Sequence, residues 1–292
     1  MRNLKANLLE LVRRTSAELP DDVVQTIARY ATQEQAGSNA QYAMTIIQQN
    51  ISLAVQKSAP LCQDTGSILF FVKAPKGFDQ LAFEKAAADA VATATAKGYL
   101  RQNSVDSLTG KNTGTNLGPG SPSFHFHQHR GTRVDVRLIL KGGGCENVGI
   151  QYSLPDTRLQ ANRDLDGVRK ALLDAVLQAQ GKGCGPGILG VCIGGDRATG
   201  YLHSKEQLLR PLDDGNANPT LAALEQDIVT SANKLGIGPM GFGGATTLLG
   251  CKIGALNRLP ASFFVSISYM CWAYRRRGFV LNDSGKIVEW LY

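Results

Sequence analysis

Apolar residues recur at helical spacing through the first part of the chain. One amphipathic stretch begins after Pro20, and a second begins at Ser38, whose side chain can cap a helix. A continuous apolar run at 68–72 then predicts a buried strand. We therefore expect a helical lead-in over 1–58 that delivers the chain to a strand.

The remaining pattern alternates between helical and strand periodicity. Helices are predicted over 82–97, 164–180, 204–210 and 219–235, and buried strands over 188–193, 246–253 and 262–268. Gly98 and Gly236 stand where two of these helices end. No internal repeat, low-complexity segment or flexible linker separates them.

Two segments alternate between apolar and polar residues. They run over 124–129 and 133–140, with Arg130-Gly131-Thr132 between them, and together they predict a β-hairpin. Its polar face carries His125, His127 and His129. A metal site and an ordinary solvated hairpin face both agree with that row.

The simplest architecture is a single α+β domain over 1–292, in which helices flank a mixed β-sheet. Residues 1–58 form its helical lead-in, and a C-terminal hairpin tail covers about 279–290. With 292 residues, 43% of them hydrophobic, the chain can bury a substantial core.

Composition narrows the class of protein. No run of about 18 apolar residues predicts a membrane span, and the first residues lack the apolar segment of a secretory signal. The net charge of +7 is scattered, without the dense basic stripe or the motifs of nucleic-acid binders. We therefore expect a cytoplasmic protein that binds neither membrane nor nucleic acid.

Three of the six cysteines share a setting. Cys62, Cys184 and Cys271 each lie in a turn or loop directly beside an apolar strand. They are too far apart in the chain for a zinc-finger site, whose ligands come in short pairs, but a fold could bring them together. Spacing alone does not decide which three of the six cysteines would bind a metal, because Cys145 also lies in a loop.

The other two cysteines, Cys192 and Cys251, lie inside apolar strands, where a buried inert thiol is expected.

Three thiolates would have a specific meaning for an iron–sulfur centre. Four cysteines close a [4Fe–4S] cluster, whereas three leave one iron open to bind a substrate hydroxyl and carboxylate as a Lewis acid. Asp64, two residues after Cys62, could then transfer protons. An ordinary turn is the alternative for this segment.

Other candidates could bind an anionic substrate. Arg101 and Lys111 could clamp carboxylates, although a solvated surface role is the default for each. The glycine runs at 142–144 and 241–244 could present backbone N–H groups to an anion or simply form tight turns. Neither run matches a phosphate-binding or dinucleotide-binding motif.

Six motifs in order resemble a known family. They are Cys62-Gln63-Asp64-Thr65-Gly66, Gly110-Lys111-Asn112-Thr113-Gly114, Gly142-Gly143-Gly144, Gly183-Cys184-Gly185-Pro186, Gly236-Ile237-Gly238-Pro239 and Cys271-Trp272-Ala273. The chain resembles, over roughly 5–280, the α subunit of class I fumarases and L(+)-tartrate dehydratases, which are iron–sulfur hydro-lyases.

The resemblance implies a cofactor and a substrate site. It implies an oxygen-sensitive [4Fe–4S] cluster with one open iron, held by Cys62, Cys184 and Cys271. It also implies contacts to a C4 dicarboxylate from Gln63, Asp64, Arg101, Gly143 and Gly144. The implied reaction is the reversible trans addition of water across a carbon–carbon double bond, with Asp64 as a catalytic residue.

The resemblance also implies a partner. In this family a β subunit or C-terminal domain supplies further arginines, a lysine and a threonine, and its Lys-Thr-x-Thr-Gly-Arg-like stretch is absent from this sequence. We therefore expect a β subunit carrying the second half of the active site, and a dimer of αβ.

Two positions depart from the family pattern. Leu259 stands where many relatives have histidine, and Cys145 stands where relatives often have serine. These departures keep alternatives open: L(+)-tartrate dehydratase activity, or a cluster-binding subunit without activity. A zinc-binding domain that uses His125, His127 and a cysteine pair is a further alternative.

Overall fold

The computed structural model describes residues 3–292, and these divide into two compact units. Unit 1 comprises the described residues up to Asp21, Gln49–Gly143 and Ala273–Tyr292. Unit 2 comprises Asp22–Gln48 and Gly144–Trp272. Each unit has its own β-sheet.

Eight α-helices are present in the described residues. They are α1 (Leu4–Ala17), α2 (Asp21–Ala31), α3 (Asn39–Lys57), α4 (Gln80–Ala96), α5 (Gly143–Asn147), α6 (Leu165–Ala179), α7 (Arg197–Gln207) and α8 (Pro219–Asn233). Short 3-10 turns follow α6 at Gln180–Gly183 and α8 at Pro239–Gly241.

The described residues also contain nine strands, which form two mixed sheets. They are β1 (Ser67–Pro75), β2 (Ser123–His129), β3 (Val134–Lys141), β4 (Ile150–Ser153), β5 (Gly187–Gly194), β6 (Leu248–Leu256), β7 (Phe264–Met270), β8 (Arg276–Leu281) and β9 (Ile287–Leu291). The order is β2-β1-β3-β8-β9 in unit 1 and β4-β7-β5-β6 in unit 2.

In unit 1, α1 and α4 pack together against one face of the five-stranded sheet. The core between them contains Phe70 of β1 and Phe83 of α4, both fully buried. The ring of Phe83 meets the rings of Phe124 and Phe126 edge-on. The apolar side of β2 therefore belongs to this core, which fixes the orientation of that strand.

In unit 2, β5 is buried along its whole length because β6 and β7 flank it and α7 packs on it. Short polar side chains start the surrounding helices. Asp164, Asp196 and Asn218 accept hydrogen bonds from main-chain N–H groups in the first turns of α6, α7 and α8.

The expected α+β class is confirmed: helices flank mixed sheets, and the N-terminal region is helical. The predicted tail hairpin corresponds to β8 and β9, which pair antiparallel. The division of the strands between two sheets is a feature that the periodicity did not indicate. Among the described residues, no helix has the length and apolarity needed to cross a membrane.

The predicted hairpin over 124–140 is wrong. β2 and β3 do not pair with each other, because β1 lies between them, parallel to β2 and antiparallel to β3. β1 is apolar and buried from Ile68 to Val72, so it suits the inner position. β2 carries one polar face and lies at the sheet edge.

The helix predicted over 204–210 is misplaced. α7 begins at Arg197 and ends at Gln207, because Asp196 caps it through Ala198 and Thr199.

Candidate active site

In unit 1, the segment 61–66 connects α3 to β1. Its first residue is held from two sides: Leu61 N–H donates to Ser16 O at 2.9 Å, and Asn50 Nδ2 donates to Leu61 O at 2.8 Å. These bonds tie the segment to α1 and α3. The following Cys62 is half-buried, and Gln63 is exposed.

The carboxylate of Asp64 is fixed by main-chain amides. Its Oδ1 accepts a hydrogen bond from Gly66 N–H at 2.8 Å, and its Oδ2 accepts one from Gly143 N–H at 2.5 Å. Asp64 N–H in turn points to Cys62 Sγ at 3.5 Å. One short segment thus presents a thiol and an oriented carboxylate side by side.

Arg101 is joined to the same segment through Thr65. The Thr65 hydroxyl donates to Arg101 O at 2.7 Å and accepts from Arg101 N–H at 2.9 Å. Thr65 is buried, whereas Arg101 is exposed, so its guanidinium is accessible to an incoming carboxylate. The sequence pattern singled out Arg101 but gave no role to Thr65.

Asn116 organises the strand-like segment that carries Arg101. Its Oδ1 accepts from Asn103 N–H at 2.8 Å and from Ser104 N–H at 3.1 Å. Its Nδ2 donates to Arg101 O at 2.7 Å. Asn116 has φ 61°, a left-handed conformation that asparagine tolerates better than most residues. Sequence reasoning missed it, although it lies two residues after the motif that ends at Gly114.

The candidate thiols of unit 2 all contribute to the electrostatics of one tyrosine. Tyr269 of β7 is buried, and burial raises the pKa of its hydroxyl, with smaller contributions from Cys271, Cys145 and Cys184. Cys271 follows β7, and its N–H points to Cys145 Sγ at 3.3 Å. Cys184 is exposed and has φ 54°.

Glycines make room for that tyrosine. A Cβ atom at Gly183 would lie 2.5 Å from the Tyr269 ring, and one at Gly187 would lie 2.3 Å from it. Both distances are shorter than non-bonded atoms allow. The glycine-rich sequence around Cys184 is therefore required by packing against Tyr269.

Cys192 and Cys251 differ from these thiols. Both are buried inside strands, and burial raises the pKa of Cys192 to about 12 and that of Cys251 still further. Because metal ligation requires a thiolate, these two are poor ligands.

Comparison with known proteins identifies the family of this chain. A family model described as fumarate hydratase (Fumerase) matches residues 5–280. The chain belongs to the fumarate hydratase family.

Individual relatives agree. The chain is 52% identical to a Geobacillus stearothermophilus protein assigned to the class I fumarate hydratases, in a match covering 100% of this chain and 58% of that protein. It is 32% identical to the L(+)-tartrate dehydratase subunit alpha of Escherichia coli strain UTI89, covering 89% of this chain and 85% of that subunit. The chain thus spans little more than half the length of the Geobacillus relative.

The cysteines of this family member suit an iron–sulfur cluster in their chemistry. All six are free thiols in the described chain, and Cys62, Cys184 and Cys271 lie in connecting segments rather than inside strands. Within residues 3–292, no three His, Cys, Asp or Glu side chains converge tightly enough to hold one metal ion. A [4Fe–4S] cluster requires less convergence, because each cysteine binds a different iron.

The histidine row does not form a metal site in the described residues. His129 Nδ1 accepts from Gly131 N–H at 2.8 Å, and its Nε2 is 2.9 Å from Arg133 O. Both ring nitrogens of His129 are thus engaged by the backbone. His125 stacks on Phe71 at 4.9 Å between ring centroids.

Three other positions that the sequence analysis named take no part in the hydrogen bonds described above. Lys111 is exposed in the loop bridged by Val105 and Asn112. Leu259 is 73% exposed in the turn after β6, where its carbonyl accepts from Ser262 N–H. Gly144 belongs to unit 2, and a Cβ there would lie 3.4 Å from Lys182 O.

Proposed function

We propose that this protein is a hydro-lyase that reversibly hydrates a C4 dicarboxylate of the fumarate/malate type. The observation that carries the proposal is the arrangement of Asp64. Its carboxylate is oriented by two main-chain N–H groups beside the Cys62 thiol, and Thr65 joins the same segment to Arg101. Membership of the fumarate hydratase family supports it.

We propose Cys62, Cys184 and Cys271 as the ligands of a [4Fe–4S] cluster. With three protein ligands, such a cluster supplies an open iron that acts as a Lewis acid on a hydroxyl group. The donor chemistry supports this choice, because Cys192 and Cys251 are held protonated by burial.

Four residues besides Asp64 bind and orient the substrate in this proposal. Arg101 offers a planar pair of N–H donors to a carboxylate, and Gln63 offers an exposed amide to a second oxygen. Gly143 and Gly144 line the site, where the absence of a side chain lets the substrate approach the backbone.

Asp64 transfers a proton in this proposal. Its carboxylate is fixed through Gly143 and Gly66, so little reorganisation is needed when the proton moves. A carboxylate oxygen has lone pairs beyond those used by one main-chain N–H, which leaves Asp64 able to accept a proton from substrate or water.

We propose that a β subunit or a further domain supplies further arginines, a lysine and a threonine to the active site. The Lys-Thr-x-Thr-Gly-Arg-like stretch of the family is absent from this sequence. The Escherichia coli relative is itself named as a subunit alpha, which supports a partner chain. An αβ dimer that pairs with a second copy, in the cytoplasm, completes the proposal.

L(+)-tartrate is the second candidate substrate. The match to the tartrate dehydratase subunit covers most of both chains, whereas the higher identity is to the fumarate hydratase relative. A subunit that binds the cluster without turnover remains a third possibility, motivated by Leu259.

Anaerobic reconstitution of the full chain with iron, sulfide and its β-type partner tests the proposal. We expect about four irons per chain, and loss of the fumarate absorbance as malate forms. Faster turnover of L(+)-tartrate than of malate would favour the second candidate. A full cluster without turnover of either substrate would favour the inactive subunit, and one zinc per chain would contradict the whole proposal.

A further inference from the structure

One buried thiol has no part in the proposed mechanism. Cys145 of α5 is 3% exposed, and Cys271 after β7 is 6% exposed. Cys145 Sγ accepts the main-chain N–H of Cys271 at 3.3 Å. Both residues belong to unit 2.

That hydrogen bond places the two side chains within bonding reach. Because an N–Cα bond is about 1.46 Å long, Cys145 Sγ lies within about 4.8 Å of the Cys271 Cα. In a disulfide each sulfur also lies close to the partner's Cα, because only one Cβ and one sulfur stand between them. A rotation of the Cys271 side chain toward Cys145 can therefore bring the two sulfurs together.

The other buried pair lacks this reach. Cys251 of β6 is in register with Leu189 of β5, three residues from Cys192 on the same strand. At about 3.3 Å per residue, Cys192 and Cys251 are separated by roughly 10 Å along the sheet. A disulfide cannot span that distance.

We propose that Cys145 and Cys271 are a redox pair, which a peroxide converts to a disulfide when the protein carries no cluster. One thiolate attacks the peroxide, becomes a sulfenic acid and releases hydroxide, which takes up a proton as water. The second thiol then attacks the sulfenic sulfur and expels a second water. Two thiols and one peroxide thus yield one disulfide and two waters.

The disulfide has a consequence that rests on the proposed function. If Cys271 is a cluster ligand, its sulfur cannot bind iron while it is bonded to Cys145. Reduction by a dithiol would then have to precede cluster assembly. The disulfide would also protect Cys271 from irreversible oxidation to a sulfinic acid.

The test uses the full chain, freed of iron by anaerobic chelation and then reduced. After treatment with one equivalent of hydrogen peroxide, the protein is denatured and its thiols are alkylated for mass spectrometry. We expect two of the six thiols to escape alkylation, and a peptide map to join Cys145 to Cys271. Full alkylation, or Cys271 joined to Cys184 instead, would overturn the proposal.

Variants make the test specific. Cys145→Ser removes the proposed partner, so Cys271 should be oxidised to the sulfinic acid or alkylated, with no cross-link. Cys192→Ala should form the Cys145–Cys271 link as the natural chain does. If the serine variant fails to fold by circular dichroism, Cys145→Ala replaces it. The disulfide is measured without catalysis, so its absence and an absence of hydro-lyase activity are separate results.

Discussion

The Thr65 hydroxyl bonds to both main-chain groups of Arg101, donating to its carbonyl at 2.7 Å and accepting from its N–H at 2.9 Å. One buried side chain thereby fixes the backbone from which Arg101 extends. Thr65 directly follows Asp64, so the carboxylate and the guanidinium of the candidate site share one anchor.

Thr65→Val should therefore weaken both stability and substrate binding. The variant keeps the shape of the side chain but removes two hydrogen bonds to part-buried main-chain groups of Arg101, which should cost about 1–3 kcal/mol of unfolding free energy. In the reconstituted enzyme, KM for the dicarboxylate should rise more than kcat falls, because Arg101 loses its position. Thr65→Ser keeps the hydroxyl and is the control. Equal urea midpoints for the valine and serine variants would contradict the role of the hydroxyl.

The cluster ligands can be separated from the other cysteines by replacement. Cys62→Ala, Cys184→Ala and Cys271→Ala should each abolish the brown absorbance and lower the bound iron after reconstitution. Cys192→Ala and Cys251→Ala should keep both, because those thiols lie inside strands. Full iron content after Cys271→Ala would refute the ligand assignment.

The rate at which iodoacetamide alkylates each cysteine should fall as the burial of its thiol increases. Cys192 is fully buried, and burial raises its pKa to about 12, so iodoacetamide should alkylate it far more slowly than an accessible thiol in the folded protein. The more accessible Cys62 and Cys184 should be alkylated first at pH 8. Peptide mass spectrometry at successive times gives the rates. In urea the differences should vanish; their persistence would show that burial is not the cause.

Local signals in the sequence predicted the elements whose boundaries are set locally. The predicted helices over 164–180 and 219–235 agree closely with α6 and α8, because the caps Asp164 and Asn218 involve only the next three residues. α7 was misplaced because Gly200 interrupts its helical pattern, so the cap at Asp196 was overlooked.

Strand order could not be predicted in the same way. The alternation in β2 and β3 correctly placed the histidines and phenylalanines on opposite faces, and Phe124 does pack in the core. Alternation does not encode which strand is the neighbour. The short turn suggested that β2 pairs with β3. Its partner is instead β1, which lies more than 45 residues earlier in the chain than β2.

The sequence predicted the residues with reactive or charged side chains in the candidate site. It did not predict the residues that hold their backbone in place. Cys62, Asp64 and Arg101 have side chains whose chemistry suggests a function. Thr65 and Asn116 act by holding main-chain atoms of residues more than ten positions away. Only the folded chain reveals such contacts, because the residue types involved are common in ordinary turns.

Gly66 offers a matched test of how the Asp64 segment is held. It has φ 78°, and a Cβ added there would lie 2.3 Å from Lys141 O. Gly98 has nearly the same conformation, with φ 73°, but nothing lies within 4 Å of its added Cβ. The two glycines therefore share the backbone strain of an alanine replacement and differ only in the clash.

Gly98→Ala should destabilise the protein by about 1–2 kcal/mol, the cost of a left-handed alanine. Gly66→Ala adds a contact with a main-chain oxygen that no rotamer change can relieve, so its unfolding free energy should fall by clearly more. Because Gly66 N–H also holds Asp64, its variant should lose activity as well, whereas Gly98→Ala should retain it. Urea titration of both variants measures their two losses of unfolding free energy. Equal losses of stability would mean that the close approach of Gly66 to Lys141 does not constrain the segment, and that conformational strain alone accounts for the glycine.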